Sequence, residues 1–349
     1  MEVIAVDARK KKKKPFKILC IDGGGIKGLY AATLLSRFEE WNKCLLSDHF
    51  DMICGTSTGG IITLGISQRI PMSNICDFYK NYGPEIFNEA CRPKLLFGVY
   101  RKVRDKIRQT IFRGKFSNKA LRRALEAVFQ DKTIGDSHNL LCIPSYSYSY
   151  AQNRVFKFDH LEGTLNCDNN KSCVDIALAT SAAPTYFPLC DIGSEQFIDG
   201  GVWANNPTLV GLIEALTYFV GKEKEYNEIQ VLSIGCISKL NGNKLNKCRN
   251  RPFILWGGDL FDIFNNGQSD FAHYFMSKIS EVDKIPITYR RIDSRNVSSE
   301  QCEYVELDNA SKDALCFFER KGNETANEYK RDNNVQSFFK TKKTYLTHK

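Results

Sequence analysis

Several features that would place this chain outside the soluble globular proteins are missing from its sequence. No run approaches the ~18 consecutive apolar residues that a transmembrane helix needs. The beginning, MEVIAVDARKKKKK, carries charges where a signal peptide needs its apolar region, so we expect a cytoplasmic location. None of the 13 cysteines forms a CxxC pair, which argues against a zinc site and a disulfide framework. We expect reduced, mostly buried thiols.

Charge of one sign is concentrated in two segments. The 349-residue chain has a net charge of +9, with 42% hydrophobic and 26% charged residues, which excludes a wholly disordered chain. Residues 1–17 carry +5 and residues 92–132 carry +10, so an anionic partner would meet these segments. We predict a basic flexible tail at 1–15, one domain at 16–320 and a polar C-terminal tail at 321–349.

Alternation of short apolar runs with apolar-periodic segments predicts an α/β fold. One helix is expected directly after a glycine-rich turn that begins at residue 23, and further helices are expected at 60–67, 172–181 and 208–220. Strands are expected at 16–22, 50–55, 140–150, 155–158, 197–199 and 229–234. Strands that alternate with helices indicate a mostly parallel central sheet. The polar stretches 241–250 and 323–334 are predicted to be loops or loosely ordered chain.

The glycine-rich turn follows the first predicted strand. GGGIKG at residues 23–28 fits G-x-G-x-x-G, a pattern that dinucleotide-binding turns also show. The acidic residues at the distance such a turn requires, Glu39 and Glu40, lie in the following helix and not after a second strand. Backbone N–H groups at a helix N-terminus bind an anion, and a developing oxyanion serves as well as a phosphate. The turn therefore predicts an anion site whose ligand the motif leaves open.

A second turn carries a serine. GTSTG at residues 55–59 fits G-x-S-x-G, again after a predicted strand and before a helix. The flanking glycines let the chain turn sharply, so that the Ser57 hydroxyl stands exposed at the end of the strand. The alternative is a helix N-cap serine in a glycine-rich turn. The strand–turn–helix context favours a nucleophile.

A serine nucleophile needs a base. None of the five histidines stands in a persuasive turn after a strand: His49, His138, His160, His273 and His348. A carboxylate can act instead if it lies within hydrogen-bond reach of the hydroxyl. Asp199 in QFIDGG ends a short apolar strand, which predicts a carboxylate at the same sheet edge as Ser57. The alternative is an ordinary D-G turn.

In their order along the chain, these motifs resemble the patatin-like phospholipase family. DGGGIKG at 22–28 is similar to its oxyanion block, GTSTGG at 55–60 to its nucleophile elbow, and DGG at 199–201 to its catalytic aspartate motif. The segment ATSAAPTYFP at 179–188, followed by NNP at 205–207, is similar to the connecting segment of many members, and NNGQSDFAHYF at 265–275 is similar to bacterial members. The resemblance is strong over residues 16–210.

The resemblance implies a three-layer α/β/α fold and a Ser–Asp dyad without histidine, cofactor or metal. Ser57 would be the nucleophile and Asp199 the proton acceptor, and the backbone amides of Gly23, Gly24 and Gly25 would hold the oxyanion. The other motif glycines are Gly28, Gly55, Gly59, Gly200 and Gly201. The implied activity is hydrolysis of fatty-acyl esters of membrane glycerophospholipids, at the inner face of the membrane for a cytoplasmic chain.

The basic segment at 92–132 has two interpretations. Residues 94–112 place apolar residues at helical spacing with basic residues between them, as in a helix that lies in an anionic membrane interface. A cap over an acyl pocket would show the same pattern.

The chain also resembles the phospholipase effectors of bacterial cyclic-oligonucleotide anti-phage systems (CBASS), which implies a cyclic dinucleotide activator and a role in antiviral defence. The positive charge of residues 92–132 suits such an anionic activator. The sequence does not decide whether the chain forms a homo-oligomer.

Two other functions stay open. A constitutive patatin-like lipase or esterase would use the same dyad without nucleotide control. A nucleotide- or nucleic-acid-binding protein would use the basic segments and the glycine turn, and it would not need Ser57. The intact serine and aspartate motifs favour an enzyme.

Overall fold

The computed structural model describes residues 14–87, 115–160, 168–238, 253–282, 286–294, 297–298 and 300–347, with side chains for all of them except 253–262. Most of the predicted basic tail and the predicted loop at 241–250 lie outside the described residues. The amphipathic helix expected at 94–112 also lies outside them. The motifs that carry the family resemblance lie inside them.

Eight described strands form one sheet. They are β1 (Pro15–Ile21), β2 (Met52–Gly55), β3 (Leu140–Ser147), β4 (Gln152–Lys157), β5 (Cys190–Ile192), β6 (Glu195–Asp199), β7 (Glu228–Ile234) and β8 (Ile287–Ile292). Their order across the sheet is β5-β6-β3-β2-β1-β7-β8, and β4 also pairs with β3. The five strands β1, β2, β3, β7 and β8 are parallel, whereas β4 and β6 run antiparallel to β3 and β5 runs antiparallel to β6.

Ten α-helices are seen in the described part of the chain. They are α1 (Gly28–Asn42), α2 (Thr58–Ser67), α3 (Met72–Ile86), α4 (Asn118–Phe129), α5 (Cys173–Thr180), α6 (Gly201–Ala204), α7 (Thr208–Glu214), α8 (Phe253–Ile279), α9 (Lys312–Tyr329) and α10 (Asn333–Ser337). A π-helical turn, Ala215–Phe219, continues α7. None of these helices combines the length and the hydropathy that crossing a bilayer requires.

Helices cover both faces of the sheet. A Cβ atom on Gly60 of α2 would lie 3.3 Å from Ile143 Cγ2 on β3, and one on Gly211 of α7 would lie 2.7 Å from Cys54 Sγ on β2. Cys54 is in register with Cys142, the neighbour of Ile143, and successive residues of a strand point to opposite faces. Helices α2 and α7 therefore lie on opposite faces, which explains why the central parallel strands are mostly apolar. The predicted three-layer α/β/α fold with a mostly parallel sheet is confirmed.

The C-terminal segment differs from the predicted polar tail. Residues 321–347 form the end of α9, then α10, then a stretch that packs on the sheet, and Phe338 is fully buried. The Lys17 ammonium donates to the Phe338 carbonyl at 3.1 Å. The Asp51 carboxylate accepts hydrogen bonds from the amides of Lys17, Thr344 and Tyr345 at 2.8, 2.9 and 2.8 Å. The loop predicted at 323–334 begins inside α9, because contacts with the core outweigh the polar composition of this segment.

The described part of the basic segment, residues 115–132, contains α4 and is tied to neighbouring carboxylates. Arg122 pairs with Asp175 at 3.0 Å, and Arg123 pairs with Glu85 at 2.6 Å. Exposed pairs of this kind add little to stability. These pairs do neutralise part of the positive charge that we predicted would meet an anionic partner.

Candidate active site

Ser57 lies in a sharp turn between β2 and α2. Its φ of 56° and ψ of −123° fall in a region that residues other than glycine rarely adopt, a strained conformation typical of a nucleophile elbow. Neighbouring glycines allow the close packing: a Cβ atom on Gly59 would lie 2.2 Å from the Ile21 carbonyl oxygen, and one on Gly55 would lie 2.2 Å from that of Gly59. The Ser57 amide donates to Thr180 Oγ1 at 3.0 Å. These contacts hold the serine beyond the C-terminal end of β2.

The Asp199 carboxylate accepts a hydrogen bond from the Ser57 side chain and a second one, of 2.7 Å, from the Gly201 amide. Asp199 is 2% exposed. Burial raises its pKa from 3.8 to about 7, although both hydrogen bonds act in the opposite direction. A carboxyl group with a pKa near 7 is matched to proton exchange at neutral pH. The two predicted reactive residues are therefore in contact.

Asp199 reaches this sheet edge on a strand that runs antiparallel to its neighbour. Cys142 on β3 lies opposite Cys54 on β2, and Ser145, three positions farther along β3, lies opposite Asp199. Ser57 likewise follows Cys54 by three positions. The serine and the aspartate come to one level because β3 continues past the end of β2 and β6 returns along that extension. The end of an apolar strand therefore predicted the position of Asp199 correctly. It did not predict the direction in which that strand runs.

The glycine-rich turn brings two of the three predicted oxyanion amides to Ser57. Gly24 and Gly25 line the same cavity as Ser57, and their amides have no hydrogen-bond acceptor among the described residues. Gly25 has a φ of +61°, and a Cβ atom on it would lie 2.2 Å from the Leu307 carbonyl oxygen. Gly23 requires a correction, because its amide already donates to the Asn205 carbonyl at 3.0 Å. Gly24 and Gly25 are therefore the candidate oxyanion donors in this conformation.

Two further motif glycines mark close backbone contacts around the turn. A Cβ atom on Gly28, at the start of α1, would lie 2.2 Å from Thr58 Oγ1 at the start of α2. One on Gly200 would lie 2.3 Å from the Pro144 carbonyl oxygen on β3. A side chain at either position would push the turn or the aspartate away from the serine.

An apolar cavity opens beside the serine and the aspartate. Its polar end is formed by Ser57, Asp199, Gly24 and Gly25. Aliphatic and aromatic side chains line the rest, including Ile61, Phe78, Ile86, Phe87, Leu121 and Phe187. A cavity with this lining suits an apolar chain whose polar end reaches the serine.

A second and more polar cavity lies on the other side of the glycine turn and shares Asn205 and Asn265 with the first. At its edge Arg291 from β8 donates to the buried carboxylate of Asp22, the residue after β1, at 2.6 Å. This ion pair ties the glycine turn to β8, the strand at one edge of the sheet. Asn205, Asn265 and Arg291 were not predicted to belong to the site. Asn205 and Asn265 stand in the quoted family-like segments, whereas nothing in the sequence around Arg291 distinguished it.

No described histidine lines the cavity that holds Ser57. The ring nitrogens of His49, His160 and His273 lie 3.0, 3.0 and 3.1 Å from the Thr341 carbonyl, the Glu214 carboxylate and the Tyr289 hydroxyl, respectively. Within the described part of the chain, Asp199 is thus the titratable group in contact with the serine hydroxyl.

Comparison with known proteins agrees with this geometry. The family model described as patatin-like phospholipase matches residues 19–212. A Pseudomonas aeruginosa protein named cGAMP-activated phospholipase is 30% identical over 89% of this chain and 88% of its own. A Vibrio cholerae protein of the same name is 29% identical over 94% and 95%, and the Oryza sativa subsp. indica patatin-like protein 2 is 27% identical over 88% and 85%. The chain belongs to the patatin-like phospholipase family.

Proposed function

We propose that this protein is a serine acyl hydrolase that cleaves fatty-acyl esters of membrane glycerophospholipids with Ser57 and Asp199. The observation that carries the proposal is the hydrogen-bonded pair of these two side chains at the polar end of an apolar cavity. Membership of the patatin-like phospholipase family supports a lipid ester as the substrate.

The chemistry follows from the positions of the groups. Asp199 accepts the proton of Ser57 while Oγ attacks the acyl carbonyl carbon. The carbonyl oxygen becomes negative and faces the amides of Gly24 and Gly25, which stabilise it. The intermediate then expels the lysophospholipid alkoxide, which takes the proton from Asp199, and the acyl group stays on Ser57. Hydrolysis of this ester by water completes the cycle.

A direct test is mass spectrometry of the lipids released from bacterial phospholipid vesicles by the purified protein. We expect free fatty acid and lysophospholipid from the wild type and neither from Ser57→Ala or Asp199→Asn. A general esterase would instead cleave short soluble esters and leave the vesicles intact. A nucleotide- or nucleic-acid-binding protein would cleave neither, and its salt-dependent binding would survive Ser57→Ala.

Exposed aromatic side chains support action at a membrane surface. Phe264, Phe271 and Phe275 of α8 are 59, 62 and 41% exposed. With 3.6 residues per turn they lie on one side of the helix, while Asn265 of the same helix is buried and lines the catalytic cavity. Aromatic side chains arranged in this way insert into a lipid interface.

Replacing Phe264, Phe271 and Phe275 by serine together should lower the rate on vesicles at least about tenfold, since burial of each ring is worth ~1.5–3 kcal/mol. The rate on a soluble short-chain ester should stay near that of the wild type. Ile213→Ser, which removes an exposed apolar side chain from α7, is the matched control. An equal loss on both substrates would mean that the aromatic side chains support the fold and not membrane contact.

We also propose that a cyclic dinucleotide activates the enzyme, in an anti-phage role at the inner face of the membrane. Two bacterial relatives that align over nearly their whole length are named cGAMP-activated phospholipases. The purified chain should be weakly active alone, and cGAMP or another member of a cyclic dinucleotide panel should raise fatty acid release. Full activity without ligand, unchanged across the panel, would identify a constitutive patatin-like lipase.

A further inference from the structure

Three acceptor oxygens converge beside Gly201, next to Asp199. A Cβ atom placed on Gly201 would lie 3.0 Å from Asp199 Oδ1, 3.3 Å from Asn265 Oδ1 and 3.4 Å from Asn205 Oδ1. Each oxygen accepts hydrogen bonds, and none can donate one while Asp199 is ionised. The Gly201 amide donates to Asp199 Oδ1 at 2.7 Å, and a further donor beside the two asparagine oxygens would reduce the mutual repulsion of the three oxygens.

Hydrogen bonds fix the direction of the Asn205 side chain. Its Nδ2 donates a hydrogen bond to Ser269 Oγ at 3.1 Å, and its backbone amide donates one to Gln268 Oε1 at 2.9 Å. Its backbone carbonyl accepts a hydrogen bond from the Gly23 amide. With Nδ2 held by Ser269, Oδ1 is directed to the space between Gly23 and Gly201.

Asn265 supplies an acceptor from the opposite side, on α8. It is 8% exposed, and its buried Oδ1 has no hydrogen-bond partner among the described residues. A buried amide oxygen without a donor is unfavourable, and most buried polar atoms have a partner. Asn265 and Asn205 line both the apolar and the polar cavity. Where a buried acceptor borders a cavity, an ordered water molecule is the usual donor that satisfies it.

We propose that Asn265 and Asn205 hold, beside Asp199, the water molecule that hydrolyses the acyl-enzyme. This inference rests on the proposed function, because it requires an acyl group on Ser57. The water oxygen forms a bond to the acyl carbon while one water proton passes to Asp199, and the asparagine oxygens orient the water through hydrogen bonds. The intermediate collapses, the bond between the acyl carbon and Ser57 Oγ breaks, and Oγ takes the proton from Asp199. The products are free fatty acid and the original serine.

The test separates formation of the acyl-enzyme from its hydrolysis. Asn265→Ala and Asn205→Ala each remove one acceptor oxygen. Gly267→Ala is the control, because a Cβ atom on this residue of α8 would meet nothing within 4 Å. Each protein is mixed with excess soluble p-nitrophenyl ester. The burst of nitrophenol, the steady rate and the mass of the intact protein are then measured.

Both test variants should keep the burst and lose at least about tenfold in the steady rate, because only the second half of the reaction is impaired. Their intact mass should show an acyl group that the wild type and Gly267→Ala do not accumulate. Hydroxylamine, a strong nucleophile that needs no proton transfer to Asp199, should restore turnover in both variants.

An equal loss of burst and steady rate would mean that Asn265 and Asn205 only support the shape of the site, and unchanged kinetics would also overturn the proposal. Failure of the proposed function would differ from both. In that case the wild type would show neither a burst nor an acylated chain, and Ser57→Ala would behave in the same way as the wild type.

Discussion

Replacing Asp199 by asparagine should abolish hydrolysis and at the same time stabilise the fold at alkaline pH. An amide cannot accept the serine proton, but it has nearly the shape of a neutral carboxyl group and keeps an oxygen for the Gly201 amide. Above about pH 7 the wild-type carboxylate is ionised at a position that is 2% exposed, whereas asparagine is neutral at every pH. The variant therefore lacks the buried charge that the reaction requires.

The size of the stability effect follows from the pKa of Asp199. A rise from 3.8 to about 7 corresponds to about 4 kcal/mol, because each pH unit is worth about 1.4 kcal/mol. Between about pH 4 and 7 the folded wild type holds a proton that the unfolded chain has lost. Its free energy of unfolding, relative to that of the variant, should therefore fall with rising pH across this window and level off above it. The Asp199→Asn variant should gain up to about 4 kcal/mol over the wild type at pH 8 and nothing near pH 4.

Urea unfolding of wild type and Asp199→Asn at a series of pH values measures this difference directly. Other carboxyl groups titrate in both proteins and cancel in the comparison. Asp191→Asn, at an exposed position in β5, is the matched control and should show no such pH-dependent gain. The difference in the free energy of unfolding between the two proteins should grow from pH 5 to 8. A difference that stays constant or shrinks with rising pH would refute the assignment of a raised pKa to Asp199.

Ser57→Ala should lower hydrolysis at least ~10³-fold without changing the thermal unfolding midpoint, and near wild-type turnover would exclude Ser57 as the nucleophile. Gly25→Ala should lose most activity, because Gly25 has a φ of +61° and a Cβ atom there would lie 2.2 Å from the Leu307 carbonyl oxygen. Gly267→Ala should stay active, and equal rates for these two alanine variants would contradict a role for the glycine turn. The wild-type kcat/KM should rise with pH through an apparent pKa near 7, because the basic form of Asp199 is the active one. A profile that is flat across neutral pH would indicate a different base.

The central sheet and the positions of Ser57 and Asp199 were predictable because they depend on local signals. A short apolar strand followed by glycines has few conformations, and the turn at Ser57 needs small neighbours at fixed spacing. The same logic predicted Gly24 and Gly25 as oxyanion donors, a role that stays a prediction. It was wrong for Gly23, whose amide is bonded to the Asn205 carbonyl, a residue far along the chain. Local patterns show that donors exist, but not which of them the fold uses elsewhere.

The C-terminal helices were missed because their apolar face is made partly of small and polar residues. In α9 the buried side includes Phe318, Gly322 and Thr325 at helical spacing, and a Cβ atom on Gly322 would lie 2.7 Å from the Tyr30 carbonyl oxygen. Close approach of two helices requires a residue that has little hydrophobicity of its own. The ion pair of Asp22 and Arg291 was equally invisible, since no periodicity connects β1 with β8.

Delivery of Asp199 by the antiparallel strand β6 has a consequence for the synthesis of this protein. A ribosome that has completed β3 has already released the nucleophile and the glycine turn, but not the base. On the proposed mechanism, the growing chain cannot cleave lipid until β6 has emerged and paired along the extension of β3. If the proposed mechanism holds, the order of the strands along the chain keeps every nascent chain shorter than β6 inactive on lipid.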